Sequence, residues 1–147
     1  MDSVEAQALA YALEVGAARI EDVRSWADSE ILVTSTPREE LLTLATEPSV
    51  PGAISLLHTL GDGAEKPSVG RRVYHYVLRA MVGGGLSPVA AAEAVVRLAR
   101  EQTAPSRDAE NASWHFDDAF YLADKGIYGN RDVVATELED HLRRYAA

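Results

Sequence analysis

Apolar side chains return at steps of three and four residues along almost the whole chain, and that is the period of an α-helix. Leu9, Ala12 and Leu13 line a first stripe that stops near Gly16, a residue type suited to a helix carboxy terminus. Ile20, Val23, Ala27 and Ile31 make a second, with Trp26 at its flank. Thr36-Pro37-Arg38-Glu39 has the form of a capping box, with Pro37 at the first helical position. The helix it would open carries Leu41, Leu42, Leu44 and Ala45. A turn bracketed by Pro48 and Pro51 then leads to Ile54, Leu57 and Leu60.

Beyond this, Val69, Val73, Tyr76, Val77 and Ala80 form a strong stripe that Gly83-Gly84-Gly85 ends. Ser87-Pro88 caps and starts the next helix, which turns Val89, Ala92, Val96 and Ala99 inward. Residues 103–108 read as a loop. Ala112, Phe116, Ala119, Phe120 and Ala123 predict another helix closed by Gly126, and Asn130 or Asp132 caps a last one bearing Val134, Leu138, Leu142 and Tyr145. Only Ile31-Leu32-Val33-Thr34 is apolar and β-branched enough to suggest a strand. The stripes do not repeat in identity or spacing, which argues against a solenoid. The expectation is an all-α fold: a single irregular bundle of about seven or eight short helices, one domain over residues 1–147. The glycine- and proline-bearing stretch 61–67 is where it would divide.

Composition narrows the function classes. A chain of 147 residues can bury a real core. With no cysteine it has no disulfide framework, zinc ribbon or thiol nucleophile. Residues 1–11 include Asp2 and Glu5 and lack a basic region followed by an apolar one, so a soluble, cytoplasmic protein is expected. No apolar run approaches the roughly 20 residues of a membrane span, so no membrane association is expected.

Motifs for chemistry are scarce. Gly61-x-Gly63 begins like a phosphate loop, but Lys66 stands where a dinucleotide fingerprint needs glycine and arrives one position early for a Walker A lysine. No histidine follows a glutamate at the di-iron spacing, and no Gly-x-Ser-x-Gly elbow occurs. No cofactor is expected. The nearest approach to a metal or acid–base site is His115-x-Asp117-Asp118, in which His115 and Asp118 share a helical face. A small metal-dependent hydrolase is the enzyme alternative it supports; the competing view is that these carboxylates merely solvate a helix. Arg72, His75, Tyr76 and Arg79 alternate basic and aromatic character as single-strand binders do, yet a net charge of −9 opposes nucleic acid, and none is expected as a partner. Gly126-Ile127-Tyr128-Gly129-Asn130 reads as a tight turn between helices.

Charge is the one global feature that points outward. Residues 1–66 hold twelve Asp and Glu against four Lys and Arg, a net of −8, whereas residues 67–147 carry −1. On the second helix Glu21, Asp22 and Asp28 lie opposite the apolar stripe, and Glu39 and Glu40 follow on the next segment. An acidic face of this kind either keeps a protein soluble or speeds its encounter with a basic one, and Trp26 would supply an aromatic anchor. The expected function is therefore binding to a basic protein, of the physical type of an immunity or antidote inhibitor that occludes a toxin's cationic cleft. A structural homodimer sharing the helices at 69–80 and 89–99 is the third alternative.

Overall fold

The computed structural model describes residues 1–127 and 129–146. Among them the chain is all-helical, without a strand. None of these helices is long and apolar enough to cross a membrane. The chain divides into two compact units, Met1–Glu65 and Lys66–Ala147, and the division falls inside the 61–67 stretch.

The first unit contains α1 (Ser3–Val15), α2 (Ile20–Val33), α3 (Glu39–Leu44) and α4 (Val50–Leu60). Asp2 caps α1 by accepting from the Glu5 N–H at 3.0 Å, and Gly16 ends it in the left-handed conformation at φ 80°. α1 packs chiefly on α4. Leu9 and Leu13 from α1 share the core with Leu57 and Leu60 from α4, and Val23, Ala27, Leu41 and Leu44 fill it from α2 and α3. Gly61, directly after α4, lies close against α1. A Cβ there would lie 2.7 Å from the Gln7 backbone nitrogen, so this glycine belongs to the packing rather than to a free linker.

The capping box at 36–39 does not form. α3 begins at Glu39 with Arg38 as an extended N-cap, and no side chain caps it. A cap contributes about 1 kcal/mol, whereas burying Leu41 and Leu44 contributes about 2 kcal/mol each, so burial sets where this short helix starts. The 31–34 segment is not a strand either: α2 runs through Val33.

The second unit contains α5 (Lys66–Val82), α6 (Pro88–Arg100), α7 (Arg107–Ser113), a 3-10 turn (Trp114–Phe116), α8 (Ala119–Asp124) and α9 (Arg131–Ala146). α5 packs chiefly against α9, with α6 on another side. Ser87 and Asn130 cap α6 and α9 as their positions suggest, accepting from Ala90 and Val133 at 3.1 and 3.0 Å. Lys66 and Pro67 lie in the first turn of α5 rather than in a loop, and α7 takes in Arg107 and Asp108. The stripe at 112–123 is not one helix. It breaks into α7, the 3-10 turn and α8, which lets Phe116, Ala119 and Phe120 all be buried. Tyr128, in the turn expected at 126–130, lies outside the described residues.

Tyr74, not Tyr76, is the core tyrosine of α5. Tyr74 is fully buried beside Val73 and Val77, while Tyr76 is half-buried with the Arg79 guanidinium 5.4 Å from its ring centre. The buried stripe runs through Gly70, whose hydrogen side faces the backbone of residues 103–105. A Cβ on Gly70 would overlap the Thr103 carbonyl oxygen and sit 2.8 Å from both the Ala104 carbonyl carbon and the Pro105 nitrogen. Helix propensity alone would make Gly70→Ala stabilising by about 1 kcal/mol. Because backbone rather than a pliable side chain occupies the space, we expect the opposite sign, a loss of about 2 kcal/mol in urea unfolding. A stabilised variant would show that α5 can withdraw from that loop.

Candidate functional site

The outward surface of α2 follows from its helical period. Val23 and Ala27 are buried, with Ile20 and Ile31 half-buried beside them. On the opposite side Glu21, Ser25, Asp28 and Leu32 follow at i, i+4, i+7 and i+11, forming a single exposed stripe. Asp22, Trp26, Ser29 and Val33 run parallel to it one residue later. The face is acidic toward its amino end and apolar at its carboxy end, where Leu32 and Val33 are 87% and 80% exposed.

The six carboxylate and aromatic residues expected here do not contribute alike. Glu21 and Asp28 lie on one stripe about 10 Å apart by helical rise. Asp22 turns back to accept the Arg19 backbone N–H at 2.9 Å and so serves as a cap for α2. Trp26 is half-buried and offers only part of its ring. α3 packs on α2 and begins with Glu39, which is exposed, and Glu40, which pairs with the Arg38 Nε at 3.5 Å. Arg24 is committed to the Glu47 carbonyl at 3.0 Å. Among the described residues no cation pairs with Glu21, Asp28 or Glu39. The first unit carries twelve Asp and Glu against three Arg, and the second eleven of each sign, so the whole formal charge of −9 resides on Met1–Glu65.

The His115, Asp117 and Asp118 cluster is not gathered around a point. His115 Nε2 donates to Glu137 Oε2 at 2.7 Å, and Asp117 accepts from Arg100 at 2.9 Å. Asp118 is exposed at the start of α8 without a side-chain cap bond. Asp124 takes both forks of Arg131, at 2.6 and 3.0 Å, which holds its carboxyl below the usual carboxylate value. Among the described residues no three His, Asp or Glu side chains are placed to share a metal ion.

Two polar clusters carry no sequence motif. In the first unit His58 Nε2 donates to Glu14 at 2.8 Å, so its Nδ1 accepts from the Gln7 amide at 2.8 Å when the ring is neutral. In the second, Tyr74 Oη lies 2.8 Å from His141 Nε2 and 3.1 Å from Ser113 Oγ, joining α5, α9 and α7. The available signal was position: Tyr74 lies four residues after Gly70, and His141 three after Leu138, each in a buried stripe. Burial pushes the Tyr74 hydroxyl up to about 12 and pushes His141 down to about 4 from 6.5.

His141 links stability to pH. Its folded value is depressed, so between 6.5 and about 4 the unfolded chain binds the proton and the folded chain does not. The stabilisation is complete above 6.5 and falls as pH drops toward 4. We expect wild type to lose roughly 2–3 kcal/mol across that window through this group. His141→Gln, measured by urea unfolding at several pH values, should remove that part of the slope; an unchanged slope would assign it to the carboxylates.

Compared with protein-family models, with characterised proteins and with solved structures, the chain matches none.

Proposed function

We propose that the protein acts by binding a basic protein partner through the outer face of α2 and the start of α3, occluding that partner as an inhibitor or antidote does. The observation that carries this reading is the exposed stripe from Glu21 through Asp28 to Leu32. Its carboxylates pair with no cation among the described residues, and its apolar end with Val33 is open to water. Each part has a physical role. Unpaired carboxylates raise the rate of encounter with a cationic surface and can stand where that surface would hold phosphate. Leu32, Val33 and the accessible part of Trp26 would exclude water after docking and slow dissociation. The absence of cysteine suits a reducing cytosol, where we place the activity.

The two roles separate kinetically. With partner captured from lysate at low salt and then purified, Glu21→Lys/Asp28→Lys should slow association about ten-fold and flatten its salt dependence. Leu32→Ser/Val33→Ser should instead speed dissociation, leaving association near wild type. Both pairs are exposed and should leave unfolding within about 0.5 kcal/mol of wild type. Association unaffected by charge reversal would remove the α2 face from the binding mechanism.

A further inference from the structure

We propose that an open cavity in the second unit binds a small organic cation with an apolar body, such as a primary amine carried on a ring. The site uses none of the residues of the α2 face. The cavity holds about 440 Å³ and is lined by Phe116, Glu137, Asp140, His141, Arg144 and Tyr145, among others.

Hydrogen counting fixes which nitrogen of His141, one of the lining residues, carries the proton. Ser113 Oγ lies 2.6 Å from the Ala109 carbonyl, which only accepts, so the serine proton is committed there. The Tyr74 proton must then go to Ser113 Oγ or to His141 Nε2. If it went to His141, the Tyr74–Ser113 contact at 3.1 Å would hold no hydrogen. The arrangement that satisfies every contact runs one way: His141 Nε2–H to Tyr74, Tyr74 O–H to Ser113, Ser113 O–H to Ala109. The longer approach of His141 Nε2 to Ser113, 3.4 Å, fits the same direction. His141 therefore presents an unprotonated Nδ1, and the two ring nitrogens point in nearly opposite directions. This nitrogen has no protein partner among the described residues, though the residue is only 7% exposed. His141 lines the cavity, and an acceptor left without a protein partner on so buried a ring is one that a ligand or water satisfies.

The surroundings select a cation. Two lining aromatic rings adjoin His141, with centroids 5.3 Å away for Phe116 and 5.0 Å for Tyr145. Asp140 adds an exposed carboxylate without an ion pair among the described residues, and Glu137 adds another that already accepts from His115. Aromatic rings, carboxylates and an imidazole acceptor together match an ammonium group on an apolar body. Arg144 is the opposing charge, and its guanidinium is stacked 5.7 Å from the Tyr145 ring centre.

Long-range proton–nitrogen NMR on the full chain tests this, with benzylamine and benzoate as probes. His141 should read as the Nε2–H tautomer. Benzylamine should shift its Nδ1 resonance saturably while benzoate leaves it in place. Asp140→Asn, at an exposed position, should keep the amide spectrum and weaken benzylamine about ten-fold. An Nδ1–H tautomer, a resonance indifferent to benzylamine, or benzoate binding as tightly would each overturn the proposal.

Discussion

The second unit depends on one buried hydroxyl. Tyr74 is wholly enclosed, and its Oη touches side chains from two other helices, so three elements must be in register before that oxygen is satisfied. An unsatisfied hydroxyl in such a place is destabilising by about 1–3 kcal/mol, which makes a displaced α7 or α9 unfavourable even where apolar contacts would tolerate the shift. The same chain of contacts fixes how His141 sits, and hence what its outer edge offers to the cavity. Gly70, one turn earlier on α5, lets the helix lie against the loop backbone and brings Tyr74 to the depth at which this geometry closes.

Charge and chemistry are divided between the two units. Met1–Glu65 carries the net charge and an exposed acidic helix face, while Lys66–Ala147 is electrically neutral and holds the enclosed polar network. In the second unit Asp117 of the expected cluster is neutralised by Arg100, and nearby Asp124 by Arg131, while Asp118 stands exposed at the start of α8. An exposed acid beside an arginine is electrically spent at contact range, whereas one beside serine and leucine is not.

Much of the fold was legible because helix stripes and terminators are local. Gly16, Ser87, Gly84 and Asn130 act where their side chains or backbone freedom suggest. What failed was the choice between two local preferences that tertiary burial decides. The 36–39 box yielded to the burial of Leu41 and Leu44, and the 112–123 stripe broke so that both phenylalanines could turn inward. The α2 face was legible as a charge pattern, and helical angle alone places Leu32 and Val33 on it. The Tyr74–Ser113–His141 contacts were not, since they join residues 28 to 67 positions apart whose meeting depends on packing between helices.

The exposed end of α2 also bears on how the chain avoids misassembly. Ile31-Leu32-Val33-Thr34 has the residue types that favour an extended, self-pairing strand, and its helical part, through Val33, keeps the backbone N–H groups of residues 31–33 bonded within α2. Asp28 and Glu30 precede it and Arg38 and Glu39 follow, so the segment is bounded by charges that oppose stacking of like chains. Before α2 has formed, the carboxylates of Asp28 and Glu30 would therefore oppose pairing of this run with its own copies, a role independent of any they have on the folded surface.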